Sequence, residues 1–184
     1  MNRNILSTER IYFELTEERH LENRVNYIND SEIQGTLNYD FPTSLYKTKK
    51  WFANHALDSS RVDFAIMCKE TDKMIGFCGF IKIEKPVMKA ELHIVVGDKN
   101  YWGGGFGGEA YKLLCNYGFI ELGLNRIYGY QLGHNEKAHN AIKKIGWEFE
   151  GYLREDLFSH GTTKGRHVVS IIRKDWEKHS SYDI

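Results

Sequence analysis

Residues Tyr101 to Ala110 read YWGGGFGGEA, with five glycines between positions 103 and 108. The segment follows an apolar strand-like run and opens an amphipathic helical one. Glycine weakens the interior of a helix or strand. It suits places where the backbone must take a positive φ or let another group approach closely. A helix that starts there presents free N–H groups and the positive end of its macrodipole. Strand, glycine loop and helix start together make a cradle for an anionic phosphate group.

The elements around the loop set the fold class. Arg10 to Leu15 alternates like a strand. A helix is expected from Thr16 and Glu17 to about Ile28, and a second after Pro42, Thr43 and Ser44. Three strands follow, Asp63 to Lys69, Met74 to Glu84 and Met88 to Val96, the first two joined through Thr71–Asp72–Lys73. Beyond the loop come a helix from Glu109 to Leu122, stopped by Gly123, and a strand from Arg126 to Leu132. A helix from Glu136 to Ile145 and a strand pair, Trp147 to Leu157 and Thr163 to Ile172, complete the order. An antiparallel meander followed by strand–helix–strand–helix–strand is mixed α/β, expected as one layered domain over residues 1–184.

Three phosphate ligands compete for the loop. Gly103, Gly105 and Gly108 fit G-x-G-x-x-G, but a dinucleotide site needs an acidic residue near the end of the next strand. That strand, RIYGYQ from Arg126 to Gln131, has none. A P-loop fails because no Lys-Ser or Lys-Thr follows the glycines. The third reading is the pyrophosphate of acyl-coenzyme A. The run AELHIVVGDKNYWGGGFGGEA, with HNEKAHNAIKKIGWEFEG about 25 residues on, resembles the GNAT N-acetyltransferases. It is most similar to their RimJ/RimL-type and spermidine-acetyltransferase-like branch. The likeness extends from the opening strand to GRHVVSIIRKDW.

The resemblance implies a twisted mixed sheet, flanked by helices, whose fourth and fifth strands splay apart to admit acetyl-CoA. By position, Ile94, Val95 and Val96 would pair their backbone with the pantetheine arm. The N–H groups of Trp102, Gly103, Gly104, Gly105, Phe106, Gly107 and Gly108 would hold the pyrophosphate, and Asn135 would touch the cofactor. The implied activity is acetyl transfer to a primary amine by direct attack in a ternary complex. Acceptors such as a protein N-terminus, a polyamine or another small amine stay open, and a homodimer is favoured.

Acetyl transfer needs a neutral amine, although an alkyl-amine is mostly protonated at pH 7. Glu91 is the expected base. Glu91, His93 and Val95 share one face of their strand, so His93 would relay a proton or line the acceptor pocket. The family's usual tyrosine acid is replaced by Ile142, and the serine some relatives carry by Ala138. His134 and His139 are the substitutes within reach in sequence. The missing acid keeps a second reading open, a non-catalytic acetyl-CoA-binding module or sensor. On the acceptor side the candidates are Glu32, Asp40, Glu155 and Asp156 for a cationic amine, and Tyr39, Phe41, Tyr46, Trp51 and Phe52 for a pocket wall. The spacing of Trp51 and Phe52 fits core packing better.

Charge narrows the partners. Lys plus Arg and Asp plus Glu both number 25, so no strongly basic nucleic-acid surface is indicated. No run is long and apolar enough for a membrane span, and MNRNILSTER lacks the apolar core of a signal peptide. Cys68, Cys78 and Cys115 sit in apolar surroundings without zinc or disulfide spacing, so no metal is expected and a cytoplasmic setting is.

Overall fold

The computed structural model describes residues 5–35, 39, 41–133, 136–159 and 161–179. Seven strands form one sheet: β1 (Ile11–Leu15), β2 (Val62–Cys68), β3 (Met74–Glu84), β4 (Lys89–Val96), β5 (Arg126–Leu132), β6 (Glu148–Ser159) and β7 (Thr162–Ile172). Their order is β1-β2-β3-β4-β5-β7-β6. Only β4 and β5 run parallel; the other neighbours pair antiparallel. The mixed α/β class and every expected strand are present, with ends shifted by a residue or two.

Helices cover both faces, which is why β2 and most of β3 are buried without alternation. On one face lie α4 (Phe106–Asn116), α5 (Glu136–Lys143) and α6 (Arg173–His179). They pack Ala110, Leu113, Leu114, Ile142 and Trp176 against Phe64, Phe80, Ala90, Leu92 and Ile127. On the other face lie α1 (Leu21–Asn29), α2 (Ser31–Gln34) and α3 (Leu45–His55). Ile28 and Ile33 there meet Ala65, Met67, Phe77 and Val95.

Several helix ends differ from expectation for local reasons. The first helix begins as a 3-10 turn, Glu18–His20, in which Glu17 and His20 cap each other's backbone. Asp30 then accepts from Glu32 N and Ile33 N, which starts the unforeseen α2. Ser44 caps α3 as its sequence suggests, accepting from Lys47 N at 3.1 Å. The helix expected from Glu109 starts earlier, at Phe106, and widens to a π-helical turn over Tyr117–Glu121. α6 was not foreseen from the sequence; Trp176 anchors it, donating to buried Asn116 Oδ1 at 2.9 Å. The three cysteines are buried and free. No helix among the described residues is long and apolar enough to cross a membrane.

Leu113 on α4 is 1% exposed in the larger core. Leu113→Ala is expected to cost roughly 2–5 kcal/mol in a denaturant melt, the usual range for a leucine truncation that leaves a cavity.

Candidate acetyl-CoA and acceptor site

The site begins where β4 and β5 part. Their parallel ladder holds Lys89 to Arg126, Ala90 to Ile127 and Glu91 to Tyr128, and then ends. β4 continues to Val96 on β3, and β5 to Leu132 on β7. Gly97 N–H donates to Ile75 O at 2.8 Å. By the two-residue alternation of strand bonding, odd positions of β4 therefore face β3, and Leu92, Ile94 and Val96 turn their backbone groups to the gap. Of the three positions expected to pair with pantetheine, Ile94 presents N–H and C=O to the opening. Val95 sits opposite Phe77 on β3. The Val96 carbonyl accepts from the Trp102 indole at 2.8 Å.

The glycine loop lies at the end of this gap. Gly103 and Gly105 have φ of 78° and 83°, a region open to glycine at little cost. Gly105 is the N-cap of α4, with no side-chain capping bond. The helix ladder starts with Glu109 N–H to Gly105 O at 3.1 Å, so the N–H groups of 106–108 are left for an outside acceptor. A Cβ built at Gly103 or Gly108 would meet nothing within 4 Å. Open space, free donors and the positive helix end fit a pyrophosphate. Gln131, on β5, is 6% exposed and lies beside the Tyr111 hydroxyl. Asn135 and His134 lie outside the described residues.

Arg10, at the edge of β1, braces the loop and was not singled out by sequence. It donates through Nη1 to Gly104 O (3.0 Å) and through Nε to Glu109 Oε2 (2.8 Å), and lies 4.3 Å over the Phe106 ring. Nothing in its local sequence shows this; the contact spans 99 positions.

On the opposite face, Glu91, His93 and Val95 point towards α1–α3, with Val95 in the smaller core. Glu91 is ion-paired not with neighbouring Lys89, which meets Glu84, but with Lys82 Nζ at 2.7 Å. Lys82 reaches it from a bulge of β3, where the register slips between Ile81 and Glu84 and its φ is 51°. The pairing raises the Lys82 ammonium above its usual value. Tyr128 of β5 lies opposite Glu91, its hydroxyl raised by burial and by that carboxylate.

His93 belongs to a half-buried polar row. Asp63 pairs with Gly79 and Gly79 with His93 across three strands. His93 Nε2 lies 3.3 Å from Asp63 Oδ1, and His93 Nδ1 lies 3.4 Å from the Tyr39 hydroxyl. Arg61 holds Asp63 with two bonds, 2.7 and 3.0 Å. Burial alone would raise the Asp63 carboxyl, but His93 and Arg61 outweigh it and keep it below the usual carboxylate range. Burial lowers the His93 imidazole, against the pull of Asp63. With the imidazole neutral, Arg61 is the partner that keeps Asp63 ionised.

Arg24 of α1, 4% exposed, lies over Phe77 (4.0 Å) and Trp51 (4.4 Å). Trp51 is thus a platform for two guanidiniums, Arg24 and Arg61, and belongs to neither apolar core. Of the acidic residues considered for a cationic amine, Glu32 is tied to Lys99 at 2.6 Å and Asp156 to Arg166 at 2.5 Å. Glu155 is exposed, and Asp40 lies outside the described residues. Ile142 is fully buried in the larger core. His139 stacks on Phe149 at 4.2 Å and meets His167 edge-on at 4.6 Å.

This combination of parted strands, glycine-loop helix start and polar acceptor face defines an acyl-CoA-dependent transferase, and the acetyltransferase (GNAT) domain family matches residues 10–148. The chain belongs to that family and is an acetyl-CoA-dependent N-acetyltransferase. It is similar to the uncharacterized N-acetyltransferase p20 of Bacillus licheniformis, 28% identical over 174 residues, covering 93% of this chain and 97% of that protein. It is 30% identical to the spermidine N(1)-acetyltransferase of Escherichia coli (strain K12) over 110 residues, 60% of this chain and 58% of that one. Its fold matches the crystal structure of spermidine N-acetyltransferase from Vibrio cholerae in complex with CoA and spermine. The TM-score is 0.87 at 21% identity, over 92% of this chain and 99% of that one.

Two substitutions test the loop. Gly105→Val puts a β-branched side chain at φ 83° and should weaken acetyl-CoA binding at least tenfold by calorimetry, roughly the 1–3 kcal/mol such strain costs. Arg10→Ala should weaken it several-fold without changing the amine KM.

Proposed function

We propose that the chain acetylates a small primary amine, which enters between α1–α3 and the sheet and attacks the thioester directly in a ternary complex. The observation that carries this is the arrangement about β4. Its free backbone edge and the α4 N-terminus lie along one opening, and Glu91 and His93 project from the same strand towards the first three helices. Among the relatives named for an acceptor, those of Escherichia coli and Vibrio cholerae are spermidine N(1)-acetyltransferases, which supports a small-molecule amine, while one of Bacillus subtilis is named a putative ribosomal N-acetyltransferase.

In this reading the free N–H groups of 106–108 and the Ile94 backbone hold acetyl-CoA. Glu91 receives the incoming ammonium as it now receives that of Lys82, a primary ammonium at 2.7 Å. The ammonium gives one proton to a base on the β4 face, and the neutral amine attacks the thioester carbonyl. The C–N bond forms and the C–S bond breaks, and the second proton, shed by the new amide nitrogen, ends on the departing thiolate. A thiol pKa of about 8.5 makes that thiolate a fair leaving group, so the chemistry tolerates Ile142 and Ala138 where relatives carry a hydroxyl.

Three measurements test the reading. Acetyl-CoA at 100 times its Kd should stabilise the protein by about 2.7 kcal/mol, and a panel of primary amines should include one that releases free thiol. No release with any amine, despite cofactor binding, would favour the sensor reading. Glu91→Gln should raise the KM of that amine roughly tenfold, about the worth of one charge-assisted hydrogen bond, with acetyl-CoA affinity unchanged.

A further inference from the structure

We propose that Asp63 is a positioning residue that fixes His93 as its Nε2–H tautomer, leaving Nδ1 to take the proton from the acceptor ammonium. This deepens the amine-acetylation reading and rests on it.

The geometry is set by three strands. Asp63 on β2, Gly79 on β3 and His93 on β4 form one cross-strand row, and the imidazole reaches the carboxylate only because the middle position has no side chain. A Cβ at Gly79 would lie 2.1 Å from Val62 O and 3.0 Å from His93 Nε2. Nε2 is buried and has no aligned hydrogen bond; its near anion is Asp63 Oδ1 at 3.3 Å. A buried nitrogen beside a carboxylate favours carrying the proton, which leaves the lone pair on Nδ1. The carboxylate is held by Arg61, so it cannot turn away. Bonds of this kind are commonly long in a resting site and tighten around substrate.

The Tyr39 hydroxyl, 3.4 Å from Nδ1, holds the lone pair loosely at rest. It comes from the segment between α2 and α3 on the acceptor side. When an ammonium takes that place, one N–H bond breaks, an Nδ1–H bond forms, and the positive charge moves onto the imidazole beside Asp63. The amine lone pair is then free for the thioester carbonyl. The charges facing His93 are Arg24 from α1, Arg61 just before β2 and Asp63 on β2, with the Tyr39 hydroxyl. The two guanidiniums disfavour the imidazolium and Asp63 favours it. Burial first, with Arg24 and Arg61 adding to it, favours the unprotonated imidazole, and Asp63 works against them to keep it basic enough to act.

The test uses the pH profile and the tautomer together. In the full chain, Asp63→Asn should lower kcat roughly 10²-fold, the scale of a lost acid–base contribution. It should also move the acidic limb of kcat/KM to lower pH, because the anion favouring His93 protonation is gone. Asp63→Glu should restore part of both, and His93→Gln should abolish the limb. Nitrogen-15 NMR of labelled His93 needs no acceptor. It should show the Nε2–H tautomer in the native protein and its loss in Asp63→Asn, with thermal melts reporting whether each variant is folded. A native His93 protonated on Nδ1 would overturn the proposal, as would a folded Asp63→Asn variant with an unmoved acidic limb. If no amine turns over, the proposed function fails, and the tautomer still decides the Asp63–His93 coupling.

Discussion

The parting of β4 from β5 after a three-residue ladder is the constraint on which the rest depends. Backbone groups on a buried strand must find partners. Here β3 satisfies one edge of β4, and the other edge has no strand partner beyond Glu91, with only the Val96 carbonyl taken, by the Trp102 indole. That edge is the specific vacancy an extended amide-bearing arm can fill by strand addition. The α4 N-terminus supplies the positive end at the same opening. The two sheet faces divide the remaining work. The α4–α6 face is the larger apolar core, and the α1–α3 face carries the ionisable groups.

The acceptor face is organised by paired charges, each already answered by a neighbour. Glu91 has Lys82, Asp63 has Arg61, and Glu32 has Lys99. Arg24 is the exception: its Nη1 is buried without a hydrogen bond, and its charge rests on aromatic faces. A paired, partly buried set keeps its geometry and can exchange one partner for a substrate group at modest cost. In the proposed reading Lys82, itself a primary ammonium, holds at Glu91 the place that the substrate ammonium would take.

Much of the fold was legible because it rests on local signals. Strand alternation, the Ser44 cap and the glycine run lie within a few residues of what they specify. The α2 and α6 helices were missed, α2 because a single Asp30 cap starts a four-residue turn and α6 because its anchor, Asn116, is 60 positions from Trp176. That Glu91 and His93 share a face was legible because alternation along one strand puts them together. Arg10 and Asp63 were not, since each meets its distant partner only in the folded chain, and Arg61, two residues from Asp63, matters only through that carboxylate.

The sequence alone determined that a glycine loop and a helix start follow the fourth strand, and that Glu91 and His93 share a face. Both follow from glycine's backbone freedom and from the two-residue period of a strand. Only the tertiary structure decided which charges those side chains meet. Lys82 reaches Glu91 through a bulge, and Asp63 reaches His93 past the missing side chain of Gly79. Register, bulge and cross-strand clearance are relations between segments, and no single stretch of the chain encodes them.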